Sequence, residues 1–206
     1  MEKKTEQPVQ AREQHHGTVG KKDAGYAPER CGRFKKLLIP DDALILDTET
    51  TGIGIDDEVV ELAILDLSGR CLYESLFHSS KTISPEASKI NGLLDSDLQD
   101  APDYKEEYET IRTLCQGRPV LGYCPDFVIR LLRQTHNIHA EDLSDFWKDM
   151  ELIDAKSLAM GYLDIQKFSL EAVCRCLGKT GKEAHWARAD CEWVLWLIET
   201  LEERPF

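Results

Sequence analysis

From about residue 34 onward, apolar and polar positions alternate in a way that predicts a series of strands and helices. Ala43–Thr48 is an apolar run that ends abruptly in acids and hydroxyls and breaks at Gly52, as a buried strand does where it emerges at a sheet edge. Glu58–Leu67 predicts a second strand, Ser68-Gly69 a hairpin turn and Leu72–His78 a third strand, so the first three strands form an antiparallel meander. Ser84-Pro85-Glu86 carries a helix start: a capping serine, a proline at the first helical position, then an acid. Tyr104–Cys115 has helical apolar spacing. Pro119–Tyr123 predicts a short strand, and Pro125-Asp126 opens an amphipathic helix to about Thr135. Glu151–Asp154 is a brief strand leading into a helix from Ala155, and Ser169 caps a helix to Leu177. The last helix runs from about Trp186 to Glu203, with Trp193, Leu197 and Leu201 on one stripe. Three strands followed by alternating helices and strands make an α/β domain with a mixed sheet.

Residues 1–33 change the picture at the N-terminus. They are polar, with almost no large apolar side chains, and are expected to form a disordered tail ahead of a single domain over 34–206. The chain carries 25 Lys+Arg against 38 Asp+Glu, a net charge of −13, which argues against coating nucleic acid by bulk charge. It does not argue against a nuclease, because bound cations invert the local sign of an acidic site. No stretch is long and apolar enough for a membrane span, and the N-terminus lacks the apolar core of a signal peptide. The seven cysteines are odd in number and lie mostly in apolar runs, so reduced thiols and a cytoplasmic location are expected.

The strand ending in Asp47-Thr-Glu49 brings two carboxylates to one face, about two strand rises apart. Held that close they repel, and a hard divalent cation such as Mg²⁺ or Mn²⁺ would relieve the repulsion. Alone, the pair reads equally well as a polar strand end with a turn at Gly52. A partner acid comes from His185-Trp-Ala-Arg-Ala-Asp190. Five residues along a helix rotate by about 140°, so His185 and Asp190 converge on one point if His185 lies on the preceding loop and Asp190 in the first turns.

These two motifs together resemble the DEDD 3′–5′ exonuclease superfamily, in the subclass with a catalytic histidine typified by the epsilon subunit of DNA polymerase III and by ribonuclease T. The resemblance covers roughly residues 43 to 200 and extends to Glu61 and to Ile90-Asn91-Gly92, where the family often reads Ile-His-Gly. It implies a ribonuclease H-like mixed five-stranded sheet flanked by helices, and two-metal phosphodiester hydrolysis with Mg²⁺ or Mn²⁺. Asp47 would bridge both ions, Glu49 and Asp190 would hold the ion carrying the water, and His185 would take that water's proton. Thr50, Thr51 and the adjacent backbone would meet the terminal nucleotide. The implied substrates are single-stranded DNA or RNA 3′ ends, with DNA favoured, and the implied partner is a DNA polymerase or repair complex.

The chain departs from the family at the second motif, Cys124-Pro-Asp126-Phe127-Val128-Ile-Arg130. Aligning Phe127 and Arg130 puts Val128 where the fourth carboxylate belongs, with Asp126 two residues early, about 200° away on a helix. Three readings follow: Asp126 substitutes from the loop, activity survives weakly on three carboxylates, or the protein binds nucleic acid or a polymerase without cutting.

Other chemistries fail on spacing. Gly178-Lys179-Thr180 lacks the glycine at 173 that a phosphate loop needs, and Cys174-x-Cys176 and His136-x-x-His139 do not have structural-zinc spacing. Arg130, Arg133, Lys179, Lys182 and Arg188 could guide a strand inward or be ordinary solvated charge, and Trp186 could stack on a base or pack.

Overall fold

The computed structural model describes residues 37–139, 145–181 and 185–203. The expected polar tail over 1–33 lies outside them. The five expected strands form one sheet: β1 (Leu44–Thr50), β2 (Val59–Asp66), β3 (Cys71–Leu76), β4 (Val120–Gly122) and β5 (Leu152–Asp154), in the order β3-β2-β1-β4-β5. β2 runs antiparallel to both β1 and β3, whereas β4 is parallel to β1 and to β5. The helices are α1 (Pro85–Asn91), α2 (Tyr104–Cys115), α3 (Pro125–His139), α4 (Ala155–Tyr162), α5 (Leu170–Cys176) and α6 (Ala187–Glu203). Among the described residues no helix is long and apolar enough to cross a membrane, and the cysteines are free thiols.

Strand alternation divides the core into two layers. Leu44 and Leu46 of β1, with Leu62 and Ile64 of β2, pack against α2 and α3. Ile45, with Ala63 and Leu65, faces the other way, onto α4, α5 and α6. Residues 47 and 49 continue the parity of Ile45, so both acids emerge on the α6 side where the apolar run ends. Helix α6 lies against β1 and β2 with Cys191, Val194, Leu197 and Leu201 fully buried. The Cys191 thiol donates to the carbonyls of Ile45 and Ala63 at 3.7 Å.

The helix starts follow their caps. Ser84 Oγ accepts from Ala87 N–H at 3.1 Å, and Ser169 Oγ accepts from Ala172 N–H at 3.2 Å. Helix α3 runs four residues beyond its expected end because tertiary contacts hold its last turns. Gln134 donates to the carbonyls of Gly54 and Asp57, and His139 Nε2 pairs with the buried carboxylate of Glu58, which also accepts from Ser80.

Val128 is 3% exposed in the α2/α3 layer, beside Leu131 and Leu132. A carboxylate there would enter an apolar core rather than a cleft. Its neighbour Phe127 is 37% exposed. Val128→Asp is expected to destabilise the domain by about 3–5 kcal/mol, the cost of an uncompensated buried charge, while Phe127→Asp changes stability by less than about 1 kcal/mol. Urea melts of the two variants check this.

Candidate active site

Asp47 and Glu49 project from the end of β1, and Asp190 arrives from the first turn of α6. One carboxylate oxygen from each lies within 4.8 Å of the other two. The three acids come from opposite ends of the polypeptide, and this is the one such cluster of His, Cys, Asp and Glu among the described residues. Glu61 stands beside it, paired across the antiparallel ladder with Glu49.

The crowding sets the protonation. Burial pushes the Asp47 carboxyl well above its ordinary value, and the carboxylates of Asp190, Glu49 and Glu61 push it further. Glu49 is pushed up to about 8, by burial first and then by Asp190 and Glu61. The Asn91 side chain opposes the shift by hydrogen-bonding Glu49. Burial also raises Glu61, against the backbone N–H of Ala187, which favours its charged form. These donors are hard oxygens held together against their own repulsion, and the set suits a divalent cation of the Mg²⁺ or Mn²⁺ type.

Helix α1 braces the end of β1. Asn91, 4% exposed, donates through Nδ2 to the Thr50 carbonyl at 3.3 Å, and its Oδ1 accepts from Leu93 N–H at 3.0 Å. With the acceptor taken, the amide's donors point toward Glu49 and Thr50. At the other end of α1, Ser84 N–H donates to the Thr51 carbonyl at 2.9 Å. The sequence marks Asn91 as a match in a family motif, but nothing in it says that the amide holds Glu49.

The remaining expected site residues lie outside the three-carboxylate cluster. The Thr51 hydroxyl is fully buried, donates to Asp57 at 3.0 Å and accepts from Glu58 N–H at 2.9 Å, so it builds the turn after β1 rather than facing the cleft. Thr50 is 8% exposed and donates to the Gly52 carbonyl at 2.8 Å. A side chain at Gly52 would place its Cβ 2.5 Å from the Asp57 carboxylate, which is why the turn needs glycine there. His185 is exposed on the segment just before α6, and Trp186 beside it is 57% exposed. Asp126 is exposed and lines a groove of about 640 Å³ with Arg130, Arg133 and Lys148, outside the three-carboxylate cluster.

The face of α3 that looks toward the β1–β2 turn is marked by Arg130, whose guanidinium donates to the carbonyls of Ile53 and Gly54. It also lies over the Phe127 ring, 5.1 Å from its centroid. The first-turn residues on that side are Asp126, four residues before Arg130 and lining a groove with Ile55 and Gln134, and Phe127; Val128 faces the core. The cations expected to steer a strand are largely committed within the protein. Arg133 pairs with Asp145, Arg188 with Glu74 and Glu192, and Lys179 sits over Trp193 and Trp196. Lys182 lies outside the described residues.

A carboxyl whose folded pKa is raised binds more protons folded than unfolded, so its stabilisation is present at low pH and lost as pH rises through the folded value. In chelator, the thermal midpoint is therefore expected to fall between about pH 5 and about 8, the window set by Glu49. Millimolar Mg²⁺ or Mn²⁺ should remove that fall, and Glu49→Gln should shrink it in chelator. Calorimetric melts across this range read the slope.

Comparison with known proteins agrees with this geometry. The profile of the RNase_T family, described as exonuclease, matches residues 44–197. The uncharacterized exonuclease CP81 of Escherichia phage 186 is 30% identical over 181 residues, covering 82% of this chain and 92% of that protein. The DNA polymerase III epsilon subunit of Buchnera aphidicola subsp. Schizaphis graminum is 23% identical over 141 residues, and the match spans 64% of this chain and 60% of that subunit. Exonuclease X in complex with 5′ overhanging duplex DNA superposes with a TM-score of 0.56 at 20% identity, over 79% of this chain and 94% of that one. E. coli exonuclease I in complex with a dA16 oligonucleotide gives 0.65 at 17% identity, over 78% of this chain and 41% of that one. The likeness to the solved structures establishes a shared fold, and the sequence match establishes kinship: the chain belongs to the RNase_T exonuclease family.

Proposed function

We propose that the protein is a metal-dependent 3′–5′ exonuclease acting on single-stranded nucleic acid, DNA in the first instance, and releasing nucleoside 5′-monophosphates. The observation that carries the reading is the meeting of Asp47, Glu49 and Asp190 within 4.8 Å, with His185 on the segment leading into the same helix. In this reading Asp47, Glu49 and Asp190 hold two Mg²⁺ or Mn²⁺ ions. Such ions, when bound, activate water and offset charge on the attacked phosphate and the leaving oxygen. His185 accepts the proton of the attacking water, imidazole being the side chain suited to proton exchange near neutral pH. Water oxygen bonds to phosphorus, the P–O3′ bond breaks, and the departing 3′ oxygen takes up a proton.

The substrate is held more through its bases than its phosphates. Ile53, Ile55, Ile90 and Trp186 are each more than half exposed. Each lies within a few residues of Thr50, Asn91 or His185 along the chain. The nearby cations, by contrast, are engaged internally. Apolar and aromatic side chains grip unstacked bases without regard to sequence. The epsilon relatives bear the name of DNA polymerase III, and a polymerase or repair complex is the corresponding partner for this chain.

A second reading has its own support. The cluster holds three carboxylates, and Val128, aligned with the family's fourth, is buried in the core, so the protein could bind strands while cutting weakly or not at all. Cleavage of 3′-labelled single strands of DNA and of RNA in Mg²⁺ or Mn²⁺ decides between them. Wild type is expected to cleave, Asp47→Ala to lose at least about 10³-fold, and His185→Ala about 10²–10⁴-fold. Tight binding of the strand without Asp47-dependent cleavage would establish the second reading instead.

A further inference from the structure

Glu61 is a fourth carboxylate at the site, and no step above uses it. It lies on β2 opposite Glu49 and is 4% exposed, although acids are rarely buried without a cation beside them. Its Oε2 accepts a hydrogen bond from the backbone N–H of Ala187 at 3.2 Å. Ala187 is the first residue of α6. The first N–H groups of a helix have no partner within it, and the positive end of a long helix favours an adjacent carboxylate. The bond therefore satisfies the buried acid and the helix start together. Ala187 is itself fully buried, and a larger side chain there would hold the helix start away from β2.

His185 lies two residues before Ala187 and Asp190 three residues after it. The Asp190 N–H donates to the Trp186 carbonyl at 3.1 Å, so Asp190 is rigidly tied to the same turn. We propose that Glu61 is a positioning residue: by anchoring Ala187 it fixes the start of α6 against β2, and so sets Asp190 and His185 relative to Asp47 and Glu49. The spacing His-x-Ala-x-x-Asp then has a physical reason, since its small central residue is the point at which the helix is fastened to the sheet. The catalytic half of this inference rests on the exonuclease reading, while the metal-holding half does not.

The test compares Glu61→Gln, whose amide oxygen still accepts from Ala187, with Glu61→Ala, which has no acceptor. Mn²⁺ binding is measured by calorimetric titration, and kcat and KM on a 3′-labelled single strand in Mn²⁺. Glu61→Ala is expected to loosen Mn²⁺ by about 10–100-fold, as loss of a supporting contact does, and to lower kcat while KM moves by less than about threefold. Glu61→Gln stays within about threefold of wild type in both. Should Glu61→Ala fail to fold, Glu61→Met fills the space without an acceptor and carries the same expectation. Wild-type Mn²⁺ affinity in the variant lacking the acceptor, or losses in Glu61→Gln as large as in Glu61→Ala, would overturn the proposal. Loosened Mn²⁺ without any cleavage by wild type would support the anchor and count against the exonuclease reading.

Discussion

Mutual repulsion among carboxylates that the fold will not let separate is the constraint from which the rest of this site follows. Asp47 and Glu49 are fixed by strand geometry, and Asp190 by a helix whose apolar stripe is locked against the sheet. Free acids in water would move apart or be screened. Here partial burial limits screening by water, and beyond the Asn91 hydrogen bond to Glu49 the relief is protonation or a cation. That is why Glu49 is pushed up to about 8 and Asp47 well above its usual range. The same energy that makes the crowding costly makes the cluster receptive to a divalent ion.

The surrounding structure keeps the acids from yielding to that repulsion. Alternation along β1 puts apolar residues 44 and 46 into one layer and directs 45, 47 and 49 toward the other, so moving either acid would disturb a core strand. Helix α1 holds the strand's end through Asn91 and Ser84, and Asp57 organises the following turn with Thr51, Gly54 and Lys81. Burial alone would raise Asp57, but the Lys81 ammonium, the Gly54 N–H and the Thr51 hydroxyl outweigh it and lower its pKa. One acid is thus pushed toward its charged form by its neighbours, a few residues from two whose pKa burial and neighbouring carboxylates raise.

Much of this was legible in the chain because period-two and period-3.6 patterns report burial directly. The five strands and six helices follow from them, and Asp47, Glu49 and Asp190 follow from strand parity and helix-start position. What the pattern could not supply was anything decided by contacts between distant segments. Helix α3 continues to His139 because Glu58, itself held by Ser80, pairs with that histidine. Arg188, Arg133 and Lys179 read as a cationic fringe, yet each meets an acid or an indole brought near by folding. Alignment puts Val128 at the second-motif position, and only the folded helix shows that this residue is turned into the apolar core. Glu61 and Asn91 are visible in sequence only as matches to the family pattern, and their roles emerge from what they hold.

Proton release on metal binding tests the central claim most directly. Mn²⁺ is titrated into the protein at pH 7 in buffers of different ionisation enthalpy, which separates the heat of binding from that of displaced protons. A cluster kept protonated by its own crowding should release about one proton or more per protein as the cation enters, and less in Glu49→Gln. Binding with no proton released, or no binding at millimolar Mn²⁺, would contradict it.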